Sequence, residues 1–291
     1  MKDEIFENYR LAGELAAAVI KKGAHEIRPG ASYADVVGFI EDLVSAEGSG
    51  LAFPLNVSLN EDAAHDTASL EDSREFSKGD LVKLDLGIHV DGYIADTAIT
   101  VDLGNNDLLM EASRSALEKA IAKVRPGITT GEIGSVIQSE IEMRGYRPIA
   151  NLTGHGLDRF VVHTGPSIPN IGLTGGTVIR EGMVFAIEPF ATTGTGHVSE
   201  KRRVEIFSQL CEKPVRLPAA RQILEAVRDR RGMPFAKRWL PDPRPDIALS
   251  SLARSGVLHP FPVLSDVPGS LVSQHEHTLI VTEDGCVVTT I

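Results

Sequence analysis

The chain has 291 residues, 42% of them hydrophobic and 24% charged, with a formal net charge of −11. That length can bury a large core, as one big domain or a domain plus an insert, and the ordinary composition excludes fibrous and disordered classes. The acidic balance argues against DNA or other nucleic acid as the partner of the whole surface. Only two cysteines occur, Cys211 and Cys286, neither in a metal-ligand spacing, so reduced thiols in a cytoplasm are expected. The acidic N-terminus and the lack of any run of 18 apolar residues give no expectation of secretion or membrane spanning.

Residues 3–24 read as an amphipathic helix, with Ile5, Tyr9, Ala12, Leu15, Ala16 and Val19 on one stripe. After Arg28-Pro29-Gly30, Ser32 and Asp35 have the capping-box spacing and open a second helix to about Ala46. Phe53 to Ser58 suggests a short strand, and a polar loop holding His65 follows. Leu81 to Leu103 then alternates apolar and polar residues on both sides of Asp91-Gly92, a two-residue turn signal. That loop pairs Val90 with Tyr93, Asp85 with Ala98 and Gly87 with Asp96. Asp85 and Asp96 therefore leave one face as diagonal neighbours, roughly 7–8 Å apart at the backbone. Two carboxylates on a buried sheet face repel and lose hydration, so they require a cation.

A second helix pair is expected at about 109–124 and 130–144. Its junction, Arg125-Pro126-Gly127-Ile128-Thr129-Thr130-Gly131-Glu132-Ile133, repeats the pattern of Arg28 to Val36 at an offset of 97 residues. Either two junctions use the same common turn chemistry, or an α-α-β unit is duplicated. In the second case both halves pack helices on one continuous antiparallel sheet, an α+β architecture. Arg147 to Leu152 reads as a strand, with His155 beyond it between Gly154 and Gly156, and His163 in a loop. Met183 to Pro189 is a buried strand ending in Glu188, and Val204 to Leu210 is another. Between 208 and 270 proline becomes dense, and helical stretches are expected at about 218–231 and 245–255. Ten Lys/Arg stand there against six Asp/Glu. This piece reads as an inserted helical subdomain, leaving 1–207 and 271–291 as the main domain. Strand pattern returns at Leu271 to Thr282, where Glu276 faces away from His275 and His277, and Cys286 to Ile291 closes the chain.

Asp85, Asp96, Glu188 and Glu276, with His155, make four carboxylates and one neutral imidazole, which balance two divalent cations. An oxygen-rich, nitrogen-poor set of this kind suits Mn, Fe, Co or Zn. Two such ions roughly 3.5–4 Å apart can share and acidify a water. His65 and His163 lie at strand ends, where catalytic groups are often placed.

The hairpin carrying Asp85 and Asp96, with Gly154-His155-Gly156, Ile187-Glu188-Pro189 and Gln274-His275-Glu276-His277, resembles the five-ligand pattern of the methionine aminopeptidases. The likeness covers nearly the whole chain and implies their pita-bread fold. The 88 residues from Glu188 to Glu276 resemble the type 2 branch, whose insert is winged-helix-like, and the absence of a polybasic N-terminal extension resembles its archaeal form. The resemblance implies that Asp85 chelates one metal, Asp96 and Glu276 bridge both, and His155 and Glu188 complete the other. It further implies that Glu188 shuttles a proton, His163 stabilises the oxyanion, and His65 contacts the substrate backbone or leaving amine. Phe53, Val162 and Phe261 would line the methionine pocket. The implied activity is removal of the initiator methionine from nascent polypeptides with a small second residue. The implied setting is a cytoplasmic monomer, with transient ribosome contact open to the basic insert. The alternatives are a Xaa-Pro aminopeptidase or prolidase, and a non-catalytic homologue that binds ribosomes or RNA.

Overall fold

The computed structural model of the chain describes residues 1–242 and 244–291. Helices α1 (Asp3–Glu26) and α2 (Tyr33–Ala46) precede short strands β1 (Gly50–Leu51), β2 (Asn56–Leu59) and β3 (Asp62–Ala64). The hairpin β4 (Leu81–Val90) and β5 (Tyr93–Asp102) is followed by α3 (Asp107–Ile121) and α4 (Thr130–Met143). Next come β6 (Arg147–Pro148), β7 (Thr153–Asp158), β8 (Val161–Pro169), β9 (Val184–Ile187), β10 (Phe190–Thr192) and β11 (Ser199–Gln209). Helices α5 (Pro218–Ala226) and α6 (Asp246–Arg254) flank β12 (Phe235–Ala236), and β13 (Leu258–Ser265), β14 (Val272–Gln274), β15 (His277–Val281) and β16 (Cys286–Val288) complete the chain.

The hairpin forms in the expected register, Val90 opposite Tyr93, Asp85 opposite Ala98 and Gly87 opposite Asp96. Asp91 and Gly92 have φ of 50° and 86°, the paired positive values of a type I′ turn. Val82, Leu84, Leu86 and Ile88 point to one side of β4, into a core with Val19 and Ile20 of α1 and Val36 and Ile40 of α2. Asp85 and Gly87 therefore point to the other side. The second half repeats this plan, because Phe185 and Ile187 of β9 and Leu279 and Val281 of β15 pack on α3 and α4. Ala186, Glu188 and Glu276 are left facing inward with Asp85.

The two helix junctions match in tertiary partners as well as sequence. Gly30 N donates to Phe76 O at 2.7 Å, and Gly127 N to Ile179 O at 2.9 Å. Tyr33 N donates to Arg74 O and Thr130 N to Thr177 O, while Ser32 and Thr129 form isolated bridges to Glu75 and Val178. Local turn chemistry does not require the same long-range partners, so the structure favours a duplicated unit.

Between the halves, threonine hydroxyls replace most of a backbone ladder. Asp96 N donates to Thr278 Oγ1 at 2.7 Å, and that hydroxyl donates to Asp96 O at 2.9 Å. Thr97 and Thr100 hydroxyls donate to Glu276 O and Gln274 O, and Ala98 pairs directly with Glu276. The result is one curved surface with helices outside and a cavity within.

Several boundaries differ from expectation. The strand expected over 147–152 covers only Arg147–Pro148. The chain turns at Asn151, whose side chain pairs with the Val198 backbone, and extends again from Thr153, so His155 lies within a strand. His163 is likewise inside β8. The expected 271–282 strand breaks at His275-Glu276. Strand β13 had no counterpart in the sequence reading. It pairs with β11, and the register shifts there accommodate Pro262, which offers no N–H. Helices α5 and α6 close a separate apolar cluster with Phe207, Ile223, Phe235, Leu249 and Leu252 against β11.

Candidate metal centre

The inward faces of both halves meet in a cavity of about 220 Å³, lined by Asp85, Asp96, His155, Glu188 and Glu276 together with Phe53, His65, Val162, His163 and Phe261. All the residues singled out in the sequence reach this one space. Asp85 and Asp96 arrive through the hairpin register. Glu276 is fixed by its bridge to Ala98, with Glu276 N donating to Ala98 O at 3.0 Å. Glu188 leaves the end of β9. His155 pairs with Ser167 across β7 and β8. Its glycine neighbours permit close backbone approach, since a Cβ on Gly154 would lie 2.3 Å from Ala186 O and one on Gly156 2.1 Å from Gly165 O.

His155 Nε2 lies 3.6 Å from Asp96 Oδ2 and 3.7 Å from Glu188 Oε1. Ligand atoms of Asp96, His155 and Glu276 fall within 4.8 Å of one another. Loss of hydration pushes Asp85, Asp96, Glu188 and Glu276 all above the ordinary carboxylate range, and mutual repulsion adds to it for the last three. Burial, with His163 nearby, pushes His155 down to about 3, which keeps its imidazole neutral and able to ligate. Asp85 Oδ1, Asp96 Oδ1 and Glu276 Oε1 are buried with no hydrogen-bond partner among the described residues. Orphaned buried carboxylate oxygens beside a neutral imidazole are what an oxygen-preferring divalent ion would satisfy, so the residues fit such ions.

Gln274, given no role by the sequence reading, is fully buried behind the cluster. Its Nε2 lies 3.2 Å from Asp85 Oδ2, 3.4 Å from Glu276 Oε2 and 3.5 Å from Glu188 Oε2. The available signal was its spacing of two from Glu276, which puts both on one strand face. Asn56 was missed as well. It stands opposite Asp85 in the β2–β4 ladder, and its Oδ1 accepts the His65 N–H at 2.7 Å, holding His65 at a φ of 66°.

On the other wall, His65 Nδ1 lies 3.2 Å from Pro262 O, and burial, with His163 and His259 nearby, pushes this imidazole down to about 4. Nδ1 must therefore carry the proton that the carbonyl accepts, leaving Nε2 as an acceptor. The His163 ring sits 4.4 Å from that of His155. Phe261 is ringed by imidazoles, with centroids 4.7 Å from His259, 5.3 Å from His65 and 6.4 Å from His163. Phe53 packs against Gly87, and Val162 is buried in the same apolar cluster.

Comparison with known proteins agrees with this architecture. The profile of metallopeptidase family M24 matches residues 7–283. A methionine aminopeptidase of Archaeoglobus fulgidus is 48% identical over 291 residues, covering 100% of both chains. Among solved structures, a methionine aminopeptidase from Thermotoga maritima aligns over 100% of this chain and 98% of its own, at a TM-score of 0.75 and 25% identity. A thermophilic Arx1 aligns at a TM-score of 0.89 over 99% of this chain and 91% of its own. At 19% identity that match speaks for the fold alone. A match to the family profile over nearly the whole length, with a full-length relative at almost half identity, makes this chain a member of metallopeptidase family M24.

Proposed function

We propose that the chain removes the N-terminal methionine from nascent polypeptides with a small second residue, by hydrolysis at a centre of two divalent ions drawn from Co, Mn, Fe or Zn. The carrying observation is the convergence of four carboxylates and one neutral imidazole on a cavity whose other wall sets Phe53, Val162 and Phe261 beside His65 and His163. The full-length relative named a methionine aminopeptidase supports the same reading.

When bound, divalent ions supply Lewis acidity at the scissile carbonyl and an acidified water. Asp85, Asp96, His155, Glu188 and Glu276 would hold them, Asp96 and Glu276 serving both. Glu188 takes the proton of the attacking water and delivers it to the leaving amine. His163, lowered below the ordinary imidazole value by desolvation and by His259, is neutral and donates one N–H to the developing oxyanion. His65 offers Nε2 to a substrate N–H. Phe53, Val162 and Phe261 exclude water from the methionine side chain, whose burial is worth about 1.5–3 kcal/mol. In this reading residues 208–270 are an inserted winged-helix-like subdomain on 1–207 and 271–291. Its four excess positive charges suit transient ribosome contact by a cytoplasmic monomer.

Metal-loaded protein is expected to cleave Met-Ala-Ser peptides and to lose that activity in Glu276→Gln. Cleavage of Ala-Pro but not Met-Ala peptides would instead assign a prolidase-type activity. No cleavage of either, with salt-sensitive co-sedimentation with ribosomes, would assign a binding role.

A further inference from the structure

Residues 51–68 carry Phe53, Asn56, Ala64 and His65 into the cavity wall, and both flanks of that segment are held by arginines from the inserted region. Arg230 lies on a single 3-10 turn, Arg228–Arg230, after α5. Its Nη1 donates to Leu51 O at 2.7 Å, and its Nη2 to Ala52 O at 2.9 Å and to Pro234 O at 2.6 Å. Leu51 and Ala52 directly precede Phe53. Arg238, on the next 3-10 turn, donates from Nη1 to Thr67 Oγ1 at 3.0 Å and Ala68 O at 2.9 Å. These residues follow His65-Asp66. The other Arg238 nitrogen pairs with Glu41 of α2, which also accepts from Trp239 Nε1 at 3.2 Å, so this fork is itself braced.

Strand β1 has only β4 beside it among the described residues, so carbonyls near its outer edge need a donor from elsewhere. A guanidinium meets that need with two directed, charge-assisted bonds, fixing orientation as well as distance. Neither arginine belongs to the insert's apolar core, which is built from Phe207, Ile223, Leu249 and Leu252. Both guanidiniums lie over the Trp239 ring, 5.3 and 5.7 Å from its centroid, and reach from there to the pocket-bearing segment.

We propose that Arg230 and Arg238 are positioning residues for substrate selection. Arg230 sets the depth of the methionine pocket through Phe53, and Arg238 sets the placement of His65. The inserted region thereby determines side-chain selectivity at the scissile bond. This rests on the reading that the cavity receives a methionine side chain.

The test uses the full, metal-loaded chain. It compares Arg230→Met, Arg230→Lys and Arg238→Met with two controls, Arg228→Met at an exposed neighbour and Leu249→Ala in the insert core. Steady-state kinetics are read on Met-Ala-Ser and Leu-Ala-Ser peptides, with calorimetric affinity for free methionine. Arg230→Met is expected to raise KM for the Met peptide roughly tenfold, weaken methionine binding similarly, and narrow the Met-to-Leu preference. Arg230→Lys, keeping the charge and one donor, should recover part of that loss. Arg238→Met should lower kcat and leave the preference unchanged. An unchanged preference in Arg230→Met overturns the proposal, as does an equal shift in Leu249→Ala. A wild-type chain that cleaves no Met peptide overturns the underlying function and this assignment with it, a result distinct from an unaltered preference.

Discussion

Gly87→Ala tests how the pocket is shaped by the strand that also carries Asp85. A Cβ at this position would lie 2.3 Å from Phe53 Cε1, 2.7 Å from Cδ1 and 2.9 Å from Cζ. Carbon atoms in contact prefer roughly 3.5–4.0 Å, so the ring must retreat by about an ångström or more. The backbone cannot yield, because Gly87 faces Asp96 in the hairpin and its carbonyl accepts Ala52 N at 2.8 Å. Overpacking of this size costs about 1–3 kcal/mol, offset by about 0.4–1 kcal/mol from the stiffer unfolded chain. The net loss of about 1–2 kcal/mol lowers Tm by roughly 2–3 °C for a chain of this size. Displacing Phe53 should raise KM for Met peptides roughly tenfold while kcat changes less. Thermal denaturation and steady-state kinetics read both effects, and adding Phe53→Leu should restore Tm by making room. An unchanged Tm and KM in Gly87→Ala would refute the reasoning.

Thr278→Val removes the hydroxyl that satisfies both Asp96 N and Asp96 O across the join of the two halves. Leaving that buried N–H unpaired should cost about 1–3 kcal/mol and weaken divalent-metal binding in calorimetry; undiminished metal affinity would count against it. Acid sensitivity should trace in part to Asp72. Burial pushes its carboxyl up, but bonds from the Arg74 guanidinium and from the Ser69 and Arg74 amides outweigh that and hold it well below the ordinary value. Because the folded value is depressed, its stabilisation is present above about pH 4, the unfolded value, and fades as pH falls below that. Asp72→Asn should therefore flatten the fall of Tm between pH 5 and 3, and parallel curves would contradict this.

What the sequence reveals divides by range. The hairpin register follows from a two-residue Asp-Gly turn and alternation, both local, and so the relation of Asp85 to Asp96 is readable at once. The helix starts are equally local: Ser32 accepts from Asp35 N, and Thr129 and Glu132 form a full capping box. Strand β13 was hidden because Pro260 and Pro262 argue against a strand. It survives because β3 pairs with it only at Leu264 and Ser265, while β11 bulges opposite Pro262. Gln274 and Asn56 were hidden for another reason. Gln274 acts through carboxylates on distant segments and Asn56 through the backbone of His65 on the next short stretch, and an amide carries no sequence signal comparable to a carboxylate placed in an apolar strand. The arginine grip on residues 51–68 spans 170 positions or more and has no local pattern at all.

The most direct test is to count divalent ions in wild type and Asp96→Asn by mass spectrometry and calorimetry, alongside Met-Ala-Ser cleavage. Two ions per wild-type chain are expected, with cleavage abolished by chelation and restored on reloading, and with binding impaired in Asp96→Asn. Cleavage that survives complete removal of divalent ions, or undiminished binding by Asp96→Asn, would contradict the account.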